Sequence, residues 1–199
     1  HDTRLATLAF ALGNYRFNRY RKNDAPGAKL VPPDGVDMAE ITRMAAEGKD
    51  AFAIYDALTQ RDIAEGADLF RPLHEGNAVD GWISLEVLPS LAHDAAGTVK
   101  EARRLAGALA RPNVFIKVPS TPAGIEAIRS LIGDGISINV TLMFNRKHYR
   151  DVAMAYVEGL EALAEKGGDL SKVHSVASFF VSRVDTLIDK ELDAKAASA

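Results

Sequence analysis

Four short runs of β-branched and aromatic residues alternate with longer segments whose apolar residues recur at helical spacing. The runs, at residues 82–88, 114–119, 136–144 and 173–181, predict β-strands, and the segments between them predict α-helices. Strands that alternate with helices over short connections are typical of a parallel sheet with right-handed crossovers. The pattern therefore predicts an α/β fold.

Each predicted strand divides into two sets of side chains, because successive side chains of a strand point to opposite faces. One set is apolar: Ile83, Leu85 and Val87, then Ile116 and Val118, then Ile138, Val140 and Leu142, then Ala177 and Phe179. The other set is polar and consists of Ser84, Glu86, Lys117, Asn139, Thr141 and Ser178. An open sheet with helices on both sides has two apolar faces. In a (β/α)8 barrel of the TIM type, polar groups near the carboxyl ends of the strands form an interior site, so a barrel is predicted.

Lys117 and Glu86 are expected to face this interior from neighbouring strands. Lysine and glutamate are almost never fully buried unless they are paired. One interpretation is a buried ion pair between the two residues, which fixes strand register and adds little net stability. The other is a Schiff-base lysine, since desolvation keeps an amine neutral and able to attack a carbonyl while nearby polar groups handle protons and a water. Spacing alone leaves both interpretations open.

Composition excludes several other classes of protein. The 199 residues are 47% apolar and 26% charged and include no cysteine, which excludes a disulfide framework and thiolate catalysis and fits a reducing cytoplasm. A net charge of −3 predicts no binding to nucleic acid or to an anionic membrane surface. The apolar run at residues 5–12 is too short to span a bilayer. Five scattered histidines lack the spacing of metal ligands, so no metal site is predicted.

The two ends of the chain differ from its middle. Residues 13–20 have no helical apolar stripe, and prolines and glycines interrupt the stretch that follows, so residues 1–44 are predicted to be irregular, with a helix beginning near Asp37. A regular region follows at residues 45–192, and the alanine-rich residues 193–199 are predicted to form a disordered tail.

Four segments of the regular region resemble the transaldolase family, and they occur in the family's order: Ser84–Val87, Arg111–Pro119, Ile138–Leu142 and Ser175–Asp185. The resemblance runs from about residue 45 to residue 192. It implies a class I aldolase-type barrel that transfers a dihydroxyacetone unit between sugar phosphates through a lysine Schiff base. It further implies a cytoplasmic enzyme of the pentose phosphate pathway that uses neither a metal nor a cofactor.

The resemblance also implies roles for individual residues. Lys117 would be the Schiff-base nucleophile, and Glu86 and Thr141 would hold the water that relays protons. Substrate binding would fall to Asn139 and Ser178, which would contact hydroxyl groups, and to Arg183, which would help to attract the sugar phosphate.

The sequence departs from the family's pattern in two places. A Thr-Ser-Asn-Pro motif and a strand with an acid/base aspartate, both expected before the first predicted strand, do not occur. The strands expected after Asp189, with a serine and an arginine that grip phosphate, are also missing. About four of the eight strand–helix units are therefore expected. The alternative function is a catalytically weak or inactive barrel fragment that acts as a self-associating structural module.

Residues 1–44 carry a second, shorter resemblance. Ala11–Lys22 and Val31–Asp37 resemble the stretch that precedes the catalytic domain of leucyl aminopeptidases, but none of that family's metal ligands is present. The segment therefore suggests a different origin and no peptidase activity. Because four parallel strands leave two unpaired edges, the chain is predicted to form a homo-oligomer.

Overall fold

A computed structural model of the 199-residue chain describes residues 36–77 and 79–197. Its helices are α1 (Val36–Ala46), α2 (Ala51–Asn77), α3 (Ala95–Leu109), α4 (Pro122–Ile132), α5 (Arg146–Glu165) and α6 (Val181–Ala197). Its strands are β1 (Ile83–Glu86), β2 (Val114–Pro119), β3 (Ile138–Met143) and β4 (Ser175–Phe179). All four predicted strands are present, and α1 begins beside the predicted position. The predicted irregular structure of residues 1–35 lies outside the described residues.

The four strands form one sheet in the order β1-β2-β3-β4. The Ile83 amide donates to the Asn113 carbonyl and the Val87 amide to the Lys117 carbonyl, both at 3.1 Å. This constant offset indicates that β1 and β2 run parallel, as do β2 with β3 and β3 with β4. In the β2–β3 register Lys117 lies beside Asn139. Parallel strands in sequence order, each followed by a helix, confirm the α/β class and match consecutive units of a TIM-type barrel.

The described residues form two compact units, and the first comprises those up to Ser84 together with Ala108–Val114. In this unit Met44 of α1 packs against Ile54 and Leu58 of α2. These three side chains are at most 9% exposed. The apolar stripe of the long helix α2 therefore forms the core of the first unit.

Asn113 ties the backbone of the first unit together. Its side chain is fully buried, and its Nδ2 donates to the carbonyls of Ala67 at 2.8 Å and Gly81 at 2.9 Å. Gly81 has a φ of +76°, and a Cβ atom there would lie 2.6 Å from the backbone nitrogen of His74. Only glycine fits this approach of chain segments.

The second unit comprises Leu85–Gly107 and the described residues from Phe115 onward. Thr121 begins α4 as its N-cap, accepting a 3.0 Å hydrogen bond from the Gly124 amide, and Pro122 occupies the first helical position. A hydroxyl cap followed by proline is a strong helix start, as the sequence predicts. The core of this unit lies on one face of the sheet and includes the fully buried Ile116, Val118, Ile128, Leu131, Ile138 and Val140.

The prediction that the apolar side chains of the strands are buried is wrong for the outer strand β4. Ala177 and Phe179 of β4 are exposed, Phe179 by 37%, and in the described helix α6 no side chain is buried. The reason is that β4 lies at an edge of the described sheet, with a neighbouring strand on one side only. The structure also extends α6 through Ala197, because alanine and lysine favour helix, whereas the sequence analysis predicts disorder from residue 193.

None of the helices within residues 36–197 is both long enough and apolar enough to cross a bilayer.

Candidate active site

Lys117 and Glu86 lie on adjacent strands of the second unit. Lys117 Nζ is 3.7 Å from Glu86 Oε2, and the two side chains retain 30% and 47% of their exposure. The interpretation as a fully buried ion pair is therefore wrong, because both side chains are partly exposed to solvent. An ion pair this exposed contributes little to stability, but its amine is within reach of a small molecule.

Asn139 and Ser178 lie on the next two strands, β3 and β4. Together with Glu86 and Lys117 they form a polar row across the sheet. Asn139 lies beside Lys117 in the β2–β3 register. The Ser178 hydroxyl donates a 2.8 Å hydrogen bond to Asn139 Oδ1. The four strands therefore place a carboxylate, an amine, an amide and a hydroxyl in strand order along one face.

Thr141 lies two residues beyond Asn139, opposite Pro119 in the β2–β3 register. It is almost fully buried, with 1% of its surface exposed. Its carbonyl accepts a 2.8 Å hydrogen bond from the Ser120 amide. The structure thus places Thr141 toward the carboxyl end of β3, on the same strand as Asn139.

Arg183 lies in the first turn of α6 and is exposed. Its guanidinium carbon is 4.5 Å from the centre of the Phe180 ring, and Phe180 stacks on Phe144 with ring centres 5.2 Å apart. Neither phenylalanine is predicted from the sequence as a residue of the site. Both follow directly on the ends of strands, which is the position where barrel sites are built.

Leu142 is the residue of β3 that the sequence analysis placed wrongly. It is 39% exposed, whereas Met143 is fully buried. Leu142 has a φ of +61°, and the β3–β4 register shifts between Val140 and Met143. This bulge reverses the alternation of side chains after Thr141. Strict alternation accommodates Leu142 in the core equally well, so the sequence carries no signal for the bulge.

The arrangement suits chemistry at a carbonyl group. An accessible amine with a carboxylate at one side can add to a carbonyl and have its protons moved by that carboxylate. An amide and a hydroxyl on the other side can hold substrate hydroxyl groups by hydrogen bonds. Among the described residues, no group of three or more His, Asp or Glu side chains is arranged to hold a metal ion.

Known proteins match most of the chain. A family model described as Transaldolase/Fructose-6-phosphate aldolase matches residues 36–199. A protein named Transaldolase 2 from Streptomyces avermitilis is 49% identical over 162 residues, which are 81% of this chain and 43% of the relative. A protein named Transaldolase from Mycobacterium tuberculosis is 47% identical over 156 residues, 78% of this chain and 42% of the relative.

A third relative extends the match toward the start of the chain. A protein named Transaldolase from Trichodesmium erythraeum is 42% identical over 189 residues, 94% of this chain and 50% of the relative. The chain therefore spans half or less of the length of these three curated relatives.

Proposed function

The chain belongs to the transaldolase/fructose-6-phosphate aldolase family, and from this premise we propose that it transfers a dihydroxyacetone unit between sugar phosphates through a Schiff base on Lys117. The family's fold is a TIM barrel, of which the described residues contain four consecutive strand–helix units. The relatives are transaldolases by name. The alternative of an inactive structural fragment is therefore not favoured.

The observation that carries the proposal is the polar row across the sheet. Lys117 Nζ lies 3.7 Å from the Glu86 carboxylate. On the other side of the lysine, Ser178 fixes the orientation of Asn139. This row supplies a nucleophile, a group that can exchange protons and a place for substrate hydroxyl groups, in the order in which the strands run.

In the proposed reaction the neutral amine of Lys117 adds to the ketone carbon of the donor sugar phosphate and forms a carbinolamine. Proton transfer to the new hydroxyl group, through a water held by Glu86 and Thr141, allows that hydroxyl to leave as water. The product is a protonated imine. The imine is an electron sink, so the next bond of the sugar can break without an unstable carbanion.

Cleavage begins when the Glu86 carboxylate, through the same water, removes the proton of the hydroxyl group on the far carbon of the bond that breaks. The electron pair of that carbon–carbon bond moves toward the imine and leaves an enamine of dihydroxyacetone on Lys117, while the aldehyde product departs. The enamine then attacks the aldehyde of an acceptor, and hydrolysis of the resulting imine restores the free lysine. Arg183 is proposed to attract the phosphate of both sugars.

The family's acid/base aspartate, expected on an earlier strand, has no counterpart in the sequence. General acid–base groups contribute about 10²–10⁴-fold to rate. We therefore expect this chain to turn over far more slowly than a full-length relative.

The proposal also covers the pathway, the cellular compartment and the oligomeric state of the enzyme. Transfer of a three-carbon unit between sugar phosphates belongs to the pentose phosphate pathway, and the absence of cysteine fits a reducing cytoplasm. A homo-oligomer is proposed because β4 lies at an edge of the described sheet and large apolar residues of α6 are exposed: Val181, Leu187, Ile188 and Leu192.

The division of the chain at residues 44 and 192 remains a prediction. The family model begins at residue 36, and the alignment with the Trichodesmium relative covers 94% of the chain. A different origin for the N-terminal segment is thus a proposal that concerns at most the residues before residue 36, where the family model begins.

A transfer assay tests the proposed function. The chain is incubated with fructose 6-phosphate and an aldose phosphate acceptor, and the new ketose and aldose phosphates are measured by mass spectrometry. Slow turnover that disappears in Lys117→Arg and persists in Lys100→Arg is expected, because arginine keeps the charge but forms no imine. Transfer that survives Lys117→Arg, or no transfer by the unaltered chain, would contradict the proposal.

A further inference from the structure

Ser120 makes two contacts with the end of the neighbouring strand. It follows β2 directly and is 2% exposed. Its amide donates to the Thr141 carbonyl at 2.8 Å, and its hydroxyl donates to the Leu142 carbonyl at 2.9 Å. One buried residue thus holds two consecutive carbonyl groups of β3.

The second of these carbonyls belongs to a strained residue. Leu142 has a φ of +61°, a conformation that costs a residue with a Cβ atom about as much as one hydrogen bond contributes. The loss of one hydrogen bond is therefore enough to shift the balance between the bulged strand and a regular one. Strain of this kind persists only where surrounding contacts determine the backbone.

The bulge decides where the end of β3 points. Thr141 keeps the regular register with β2 that Asn139 also has. Met143, two residues later, lies in the core with no exposed surface. The Met143 carbonyl accepts a 3.0 Å hydrogen bond from the Phe180 amide, so the bulge also sets the connection from β4 to α6. Bulges beside active sites commonly re-aim a side chain in this way.

From these contacts we infer that Ser120 is a positioning residue, whose hydroxyl holds the left-handed Leu142 and thereby fixes Thr141 for proton relay to the Lys117 adduct. The inference rests on the proposed function and deepens it. Ser120 itself touches no reacting atom in this scheme. Its effect passes through the backbone of β3.

The experiment compares four proteins: the unaltered chain, Ser120→Ala, Ser120→Ala with Leu142→Gly, and Ser120→Ala with Leu142→Ala. Glycine adopts a positive φ without strain, whereas alanine loses the leucine side chain and keeps the strain. Two quantities are measured: the rate at which cyanoborohydride traps dihydroxyacetone on the protein, over a range of dihydroxyacetone concentrations, and the hydrogen exchange of the Phe180 amide.

We expect Ser120→Ala to lower the saturating trapping rate by roughly tenfold to a hundredfold, the size of effect that small misplacements produce, with an unchanged half-saturating concentration. Exchange of the Phe180 amide is expected to accelerate. The glycine variant restores both quantities and the alanine variant restores neither.

Trapping by Ser120→Ala at the unaltered rate would overturn the inference, as would a slow rate that glycine fails to restore. If the unaltered chain forms no adduct, the proposed function fails separately. In that case the positioning role in catalysis fails with it, while the exchange rates still decide whether Ser120 holds the bulge.

Discussion

The Ser178 hydroxyl donates to Asn139 Oδ1 across the β3–β4 pair, at a distance of 2.8 Å. This hydrogen bond orients the carboxamide of Asn139, which lies beside Lys117 in the β2–β3 register. The bond joins two side chains that are far apart in sequence. It therefore links the side chains of two neighbouring strands, β3 and β4.

Ser178→Ala is expected to weaken substrate binding more than catalysis. Without the hydroxyl the amide of Asn139 loses one of the hydrogen bonds that orient it, and the loss of one hydrogen bond corresponds to about a threefold to tenfold rise in KM. The change in kcat should be smaller. Steady-state kinetics check this, with Ser171→Ala on an exposed turn as the matched control. A fall in kcat at constant KM would contradict the assigned role.

The sequence predicts those features of the fold that local chemistry determines. Thr121 and Pro122 mark the start of α4 because a hydroxyl cap and a first-turn proline act within one helical turn. The polar row is predictable because the period-two alternation of β1 and β2 holds through Glu86 and Lys117. The positions of these residues follow from their neighbours in the sequence, without contacts to distant parts of the chain.

The features that the sequence does not predict depend on contacts between strands. Leu142 leaves the core where the backbone takes a left-handed conformation, and its carbonyl accepts a hydrogen bond from Ser120, which follows β2. Phe179 is exposed because β4 is an outer strand of the described sheet, and an apolar strand sequence is the same at an edge as in the centre. Non-local hydrogen bonds and edge positions leave no periodic signal in one sequence.

Gly124→Ala tests the close approach of α4 to β2. A Cβ atom at this position would lie 1.9 Å from the Pro119 carbonyl oxygen, so the helix start or the strand end must shift. The free energy of unfolding should fall by about 1–3 kcal/mol or more, as overpacking does elsewhere. Urea unfolding measures it.

The matched control for this variant is Gly107→Ala in α3, where an added Cβ meets no atom within 4 Å. Alanine there should raise the free energy of unfolding by about 0.5–1 kcal/mol, because glycine weakens a helix interior. Equal effects of the two substitutions would show that the packing of α4 on β2 is described wrongly.

Asp68 is expected to make stability depend on acidity. The Arg111 guanidinium donates hydrogen bonds to both carboxylate oxygens, at 3.1 and 2.8 Å, and holds the pKa of Asp68 below its ordinary value of 3.8. Because the pKa of Asp68 is lower in the folded state, the Asp68–Arg111 pair stabilises the fold at pH values above the pKa that Asp68 has in the unfolded chain. This stabilisation is lost as the pH falls through the folded value.

Asp68→Asn should therefore be less stable than the unaltered chain at neutral pH, and the difference should shrink as the pH falls below 3.8. Denaturant unfolding across that range measures the difference, with Glu75→Gln on the same helix as control. A difference that stays constant down to strongly acidic pH would show that the carboxylate charge is not what stabilises the pair.

Association should depend on the exposed face of α6. Ile188 and Leu192 lie one helical turn apart and are 48% and 58% exposed. The unaltered chain is expected to sediment as a dimer or larger species at micromolar concentration, and changing both residues to glutamine should shift it toward a monomer. Asp193→Asn on the same helix should leave the distribution unchanged. A compact monomer of the unaltered chain would contradict the proposed homo-oligomer.

Reductive trapping of the nucleophile tests the central claim most directly. The chain is treated with dihydroxyacetone and borohydride, its intact mass is measured, and the modified residue is located by peptide mapping. We expect one reduced dihydroxyacetone unit per chain, on Lys117, and no such unit in Lys117→Arg. An unchanged mass under conditions that label a full-length transaldolase, or labelling spread over surface lysines, would contradict it.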